Sequence, residues 1–310
     1  MVAAAPSDPD SAGLLDAAQT AQRLPWAALS QQISAVLQDP SVRVVPRLVL
    51  PLPGGASLFV MPACDARIAI TKLITFTPAN AAQGRPAIQG DVIVFDVATG
   101  ERCLVLHGPT VTARRTAAVS LLAAQRLAAQ PRGPLLIVGA GVQGRAHLEA
   151  FAQGLGVQSV WVASRSTASA RALVQHARTL GLQANVAPDP NAALADCPLA
   201  VVCTPAHSVV LDALPRSDAF VAAVGAFTPH MRELGAALCQ HFSEQGRIVI
   251  DTADAAHEAG DLLQAGLDAA HWQLLADVVS GRAQHQRGPV LFKSCGWAGW
   301  DLAAARLATF

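Results

Sequence analysis

Charge is scarce in this sequence. Asp, Glu, Lys and Arg make up only 14% of its 310 residues against 52% apolar, and the two signs balance at 22 each. A chain so balanced has no global field for nucleic acid or an anionic membrane, so any anion it binds must be held by a few placed arginines. No apolar run approaches the roughly 20 residues of a membrane span. The start lacks the basic segment and apolar core of a signal peptide. Six cysteines (Cys64, Cys103, Cys197, Cys203, Cys239, Cys295) show no C-x-x-C spacing, which favours free thiols in a reducing cytosol over zinc or disulfides. Internal repeats and low-complexity linkers are absent too, and only "MVAAAPSDPD" reads as a disordered start. The expectation is a compact cytoplasmic protein with no metal and with neither nucleic acid nor membrane as partner.

Two helical segments open the chain, "AGLLDAAQTAQRL" and "WAALSQQISAVLQD", with apolar residues recurring at three and four. Residues 42–107 are β-branched, alternating and broken by Pro and Gly, which predicts an antiparallel meander with a turn at "ATGE". From 110 an alanine- and leucine-rich helix follows, for which Thr112 is a candidate cap. Short aliphatic strands then alternate with helices: "PLLIVGAG", "SVWVASR", "LAVVCTP", "AFVAAVGAF", the helix "RELGAALCQHF", and "RIVIDT". A helix around "AAHEAGDLLQAG" precedes a closing strand, glycine-rich turn and helix. The fold class is α/β, a doubly wound parallel sheet beside a smaller α+β domain.

In "LLIVGAGVQGRAHLEAF", Gly139, Gly141 and Gly144 stand between an aliphatic strand and an apolar helix. That context gives the spacing its meaning: a tight turn at Gly139, close approach of a pyrophosphate at Gly141, and helix-on-strand packing at Gly144. Val142 and Gln143, inside the loop, belong to the same candidate cofactor site. The next strand ends in Ser164, Arg165 and Ser166, where an NAD-selective site places an acid. A guanidinium between two hydroxyls suits a 2′-phosphate, so NADPH is expected, with NADH possible. Thr204, in "VVCTPAH", is a candidate edge of the cofactor crevice, while His207 reads as a surface residue. "HEAGD" at 257–261 lacks the second histidine of a zinc-protease helix.

Three cations fall in segments otherwise poor in charge: Arg47 in "VPRLVLP", Lys72 in "IAITKLITFTP", and Arg115 in "TARRTAA". A cation near a helix start opposes the macrodipole unless an anion lies nearby. Together they suggest a pocket for an acidic substrate, with arginine gripping a carboxylate.

The landmarks "VMPA", "ITKLIT", "PAN", "FDVATG", "TARRTAAVS", "IVGAGVQGRAHLEAF", "VGAFTPHMREL" and "FKSCGWAGWDLAAA", in this order, resemble the ornithine cyclodeaminase/μ-crystallin family over nearly the whole chain. The resemblance implies an N-terminal dimerisation and substrate domain at 1–112, a Rossmann domain at 113–289, and a C-terminal segment at 290–310 returning to the first. It also implies a homodimer, a substrate carboxylate held by Arg47, Lys72 and Arg115 opposite the nicotinamide, and Lys293 near that nicotinamide. Phe227 stands where cyclodeaminases carry a catalytic aspartate, and phenylalanine neither handles amines nor activates water. Within the family this departure points to ketimine reduction by NADPH: Δ1-pyrroline-2-carboxylate to L-proline and Δ1-piperideine-2-carboxylate to L-pipecolate. Lys72 would then be the proton donor, with solvent as the other source; His230 is a candidate relay or a plain surface histidine. The alternatives are an alanine-type dehydrogenase, a residual cyclodeaminase, and a non-catalytic NADPH-binding crystallin.

Overall fold

The computed structural model describes residues 13–205, 207–283 and 287–310; the opening "MVAAAPSDPD" lies outside them. The chain divides into two units, Met1–Arg115 with Ala298–Phe310, and Thr116–Trp297. The first division falls inside the helix Gly108–Leu127. The C-terminal segment joins the first unit from Ala298 rather than from residue 290.

The first unit begins with helices Ala17–Arg23 and Trp26–Gln38, followed by strands β1 (Arg43–Val44), β2 (Leu48–Leu52), β3 (Ala56–Cys64), β4 (Ile68–Phe76), β5 (Ile88–Asp96) and β6 (Arg102–His107). These form an antiparallel sheet in the order β1-β3-β4-β5-β6, with β2 paired to β3. The expected turn at "ATGE" is there. The Asp96 carboxylate accepts from the Thr99 N–H at 2.8 Å, and Gly100 takes a left-handed φ of 75°.

Period-two alternation along β4 places Ile68, Ile70, Lys72 and Ile74 on its buried face. The C-terminal helix Ala298–Thr309 packs on that sheet and on the helix Trp26–Gln38. Its small residues permit the close approach, and nine of its twelve residues, including Trp300 and Asp301, are buried.

Thr112 does not cap the long helix, which starts four residues earlier at Gly108. Its hydroxyl donates to the Gly108 carbonyl at 2.8 Å, and the His107 ring accepts from the Thr110 N–H instead. A ring nitrogen can accept from an orphan N–H as a cap hydroxyl does, a substitution the usual capping residues do not suggest.

In the second unit the strands are β7 (Leu135–Val138), β8 (Ser159–Ala163), β9 (Gln183–Val186), β10 (Leu199–Val202), β11 (Phe220–Ala223), β12 (Arg247–Ile250), β13 (Gln273–Leu274) and β14 (Val290–Lys293). They form a parallel sheet in the order β13-β12-β14-β11-β10-β7-β8-β9. β7, β10, β11 and β14 are buried at every position, as expected of parallel strands covered on both faces. The chain runs outward through β8 and β9, then returns to the other side of β7 with β10. The switch point of this doubly wound sheet therefore lies between β7 and β10, where such folds take ligands.

β14 corrects the expectation that residues 290–310 return to the first domain. "VLFK" enters the parallel sheet between β11 and β12, because four consecutive buried side chains need cover on both faces. The helix expected over "RELGAALCQHF" starts only at Ala236. Glu233 and Leu234 are held instead by hydrogen bonds to Asp261.

Candidate active site

The turn after β7 is shaped by its glycines. Gly139 has a φ of 114°, and a Cβ there would lie 2.8 Å from the Cys203 carbonyl oxygen at the end of β10. A Cβ on Gly144 would sit 2.0 Å from the Gly139 carbonyl oxygen. Both positions therefore demand glycine on steric grounds. Gly141 differs: nothing lies within 4 Å of where its Cβ would be. It precedes the helix Val142–Leu155 without a side-chain cap. A helix start carries N–H groups with no intrahelical partner and the positive end of the dipole. Open space beside that start fits the pyrophosphate of a dinucleotide. Val142 is 71% exposed at the helix start, and Gln143 is half-buried. Behind them His147 is bonded to the Gln143 carbonyl and the Ser120 hydroxyl. Burial pushes its pKa down to about 4, so it is a neutral packing group.

Beyond β8, Arg165 and Ser166 are exposed and Ser164 is half-buried. The Ser166 hydroxyl oxygen caps the next helix by accepting from the Ser169 N–H at 3.2 Å, and Ser164 Oγ accepts from the Ser166 N–H at 3.3 Å. Both hydroxyls keep a proton to donate, and the loop faces no carboxylate in the described bonding. That is the chemistry a 2′-phosphate needs.

Under the ends of β10, β11 and β14 lies a buried polar network that the sequence reading missed. Glu233 accepts from the Thr204 N–H and hydroxyl at 2.6 and 3.0 Å, and from the Gly225 and Ala226 N–H groups at 2.7 and 2.9 Å. One carboxylate thereby ties together the loops that end two adjacent strands. Burial raises its pKa, against the pull of Lys293. Thr204 follows β10 at the switch point, and its hydroxyl donates to Glu233. Asp261 accepts from the Glu233 and Leu234 N–H groups at 2.5 and 2.9 Å and from Lys293 Nζ at 2.6 Å. Asp251 similarly holds Ser294, Cys295 and Gly296.

Lys293, expected near the nicotinamide, has its ammonium taken up by Asp261. Its side chain is 0% exposed and ion-paired to Asp261. Burial disfavours its charge, but the neighbouring Asp261, Cys295 and Glu233 outweigh this and raise its pKa. A buried ammonium with a carboxylate at this distance is a structural pair. His207 and His230 are exposed. Phe227, on the loop after β11, packs against the unit's apolar core.

The first unit brings together the cations picked from sequence. Lys72 is 1% exposed and Arg115 is 7% exposed. Lys72 Nζ lies 3.1 Å and Arg115 Nε 3.3 Å from one oxygen, Asp301 Oδ1. Burial pushes the Lys72 pKa down to about 8; Asp301 opposes this, while Arg115 and Arg47 push the same way. Arg47, half-buried, is therefore close enough for its charge to be felt. Among the described residues, the terminal nitrogens of Arg115 make no hydrogen bond. Asp301 was not picked from sequence, although a lone acid in the small-residue segment "GWAGWDLAAA" was a signal to follow.

No helix among the described residues is long and apolar enough to cross a membrane, and no cluster of His, Cys, Asp and Glu among them has the makings of a metal site. The profile of the ornithine cyclodeaminase/mu-crystallin family matches residues 19–309. Delta(1)-pyrroline-2-carboxylate reductase 2 of Burkholderia ambifaria is 38% identical over 298 residues, 94% of each chain. The Delta(1)-pyrroline-2-carboxylate/Delta(1)-piperideine-2-carboxylate reductase of Azospirillum brasilense is 36% identical over 95% of this chain and 94% of its own. The solved structure of Thermococcus litoralis Delta(1)-pyrroline-2-carboxylate reductase, in complex with NADH and L-proline, shares the fold. It superposes with a TM-score of 0.88 over 96% of both chains at 22% identity. With its glycine turn, its buried cations and these relatives, the chain belongs to the ornithine cyclodeaminase/mu-crystallin family.

Proposed function

We propose that this protein reduces cyclic imino acids at C=N, converting Δ1-pyrroline-2-carboxylate to L-proline and Δ1-piperideine-2-carboxylate to L-pipecolate. The observation that carries the reading is Arg115, a residue 7% exposed whose Nε is buried without a hydrogen bond and whose terminal nitrogens have none among the described residues. Such a group needs an anion. Lys72 and Arg115 against the one carboxylate of Asp301 leave a net charge of +1 on that trio (2 − 1), which suits a small acid. The named activities of the relatives at 38% and 36% identity support the same substrate class.

In this reading Arg115 and Arg47 grip the carboxylate and thereby fix one face of the planar imine, so positioning supplies much of the rate. Lys72 adds a third contact and passes its proton to the imine nitrogen, for which a pKa of about 8 is suitable. A nicotinamide dinucleotide held beside this pocket would be the source of the hydride for the imine carbon. Gly139, Gly141, Val142, Gln143 and Gly144 form the turn that would hold its pyrophosphate, Thr204 would border it, and Ser164, Arg165 and Ser166 would take the 2′-phosphate. NADPH is thus preferred, with NADH as a second donor. Both ring sizes are substrates, because one methylene is worth only ~1–3 kcal/mol in an apolar pocket.

The protein works as a cytoplasmic homodimer. β2 is exposed at Leu48 (57%), Val49 (45%) and Leu50 (50%), successive residues that point to both faces of the strand. An apolar edge of this kind calls for cover by a second copy.

The deciding experiment follows oxidation of NADPH and NADH with each cyclic imine. Turnover of both imines is expected, with none from pyruvate plus ammonia and no ammonia released from ornithine. Activity confined to pyruvate would overturn the reading. Because the Lys72 ammonium is lost as pH rises through about 8, kcat/KM should fall above that pH. Lys72→Arg, which does not titrate there, should lose this alkaline limb. Arg165→Ala should raise KM for NADPH about tenfold, one charge-assisted contact being worth about 1.5 kcal/mol, and leave KM for NADH unchanged. An equal effect on both cofactors would place the 2′-phosphate elsewhere.

A further inference from the structure

Asp301 is the only acid in the C-terminal helix "AGWDLAAARLAT" and is fully buried. A carboxylate so placed is unfavourable unless cations answer it. Two do, and both use the same atom: Lys72 Nζ and Arg115 Nε approach Oδ1 at 3.1 and 3.3 Å. The other oxygen, Oδ2, has no hydrogen-bond partner. Lys72 comes from β4 and Arg115 from the long helix, so a single oxygen on a third element sets their separation. Each cation keeps donors in reserve, two ammonium protons on Lys72 and the terminal nitrogens on Arg115.

We propose that Asp301 is the positioning residue of the cation site, its Oδ1 clamping Lys72 and Arg115 so that their remaining N–H donors converge on the carboxylate of the ligand. The proposal rests on the imino acid reading above and adds to it the group that arranges the clamp. Asp301 does not touch the substrate; it acts through the two cations. Its charge has a second consequence. The charged groups facing Lys72 are Asp301, Arg115 and Arg47, while its sheet partners Met61 and Val92 carry none. Arg306, the other charged residue of the C-terminal helix, is taken up by Asp39 and Asp65. Among the described residues Asp301 alone therefore favours the ammonium form, against burial and two arginines.

The test is binding of pyrrole-2-carboxylate, a planar acid that accepts no hydride, to the protein with NADPH, measured by calorimetry from pH 6 to 10. Wild-type affinity should weaken above about pH 8. In Asp301→Asn the midpoint should fall by at least about one pH unit, since the charge that supports the ammonium among the described residues is gone. Asp301→Glu keeps the charge on a longer arm, so it should retain the midpoint yet bind about tenfold more weakly. If Asp301→Asn does not fold, Asp301→Glu decides alone, and wild-type affinity in that variant overturns the proposal. An unmoved or raised midpoint in folded Asp301→Asn also overturns it. Should wild type neither bind the probe nor turn over the imines, the imino acid reading fails first. Wild-type binding with unresponsive variants sinks the Asp301 proposal alone.

Discussion

Replacing Arg115 by alanine is expected to lower kcat/KM for Δ1-pyrroline-2-carboxylate about 10²- to 10³-fold. Truncating one partner of a buried, hydrogen-bonded charge pair costs about 2–5 kcal/mol, and each 1.4 kcal/mol is tenfold. Arg115 sits at the buried end of that range. The substrate carboxylate would lose its planar, two-pronged donor, which a lysine ammonium does not replace. A second signature separates this effect from general damage. Arg115 is one of the charges that lowers the Lys72 pKa, so its removal should move the alkaline limb upward, opposite in direction to Asp301→Asn. A loss below fivefold, or a limb that stays in place, would remove Arg115 from the substrate site. Arg115→Lys should recover only part of the loss.

The largest stability effect is expected at Lys293. Substituting methionine leaves Asp261 as a charge at 0% exposure, held only by the backbone N–H groups of Glu233 and Leu234. Breaking a buried pair from one side costs about 3–5 kcal/mol. For a unit of this size that corresponds to a fall in Tm of roughly 10 °C. Lys293→Met combined with Asp261→Asn should recover more than half of the loss. Asparagine still accepts from both backbone groups while removing the orphaned charge. The comparison is made by thermal unfolding of the single and double variants. A double variant no better than Lys293→Met would show that the lysine acts through packing rather than charge. The stake for function is local. Asp261 supports Glu233, and Glu233 holds Thr204, Gly225 and Ala226 at the ends of the strands beside the glycine turn.

Much of the second unit was legible because its cues are local. All-aliphatic tetrads such as "LLIV" and "LAVV", short and bounded by Pro and Gly or Thr-Pro, suit a parallel strand covered on both faces. The glycine turn was equally plain, since each glycine answers a steric demand within a few residues or across to the next strand. β9 was missed: "QANV" has little apolar content and pairs only with β8, at the edge of the sheet. The Thr112 assignment failed because His107 supplies the cap. The cations of the first unit stood out as charges in an apolar context, and Lys72 shares its strand face with Ile68, Ile70 and Ile74. What that context did not reveal is that their counter-charge lies 229 residues away from Lys72 in the chain.

From the chain alone came the class of the fold, the glycine turn between strand and helix, the absence of an acid after β8, and a group of cations in an apolar setting. Each follows from periodicity, steric freedom or charge against a neutral background, all readable within a short window. The tertiary structure decided which of those charges are free to act. Lys293 and Lys72 are both buried lysines on strands, yet one is committed to Asp261 and the other shares Asp301 with Arg115. Pairing of buried charges depends on which distant segment folds against them, because a desolvated charge is tolerated only where an opposite charge meets it, and that partner lies outside any local window.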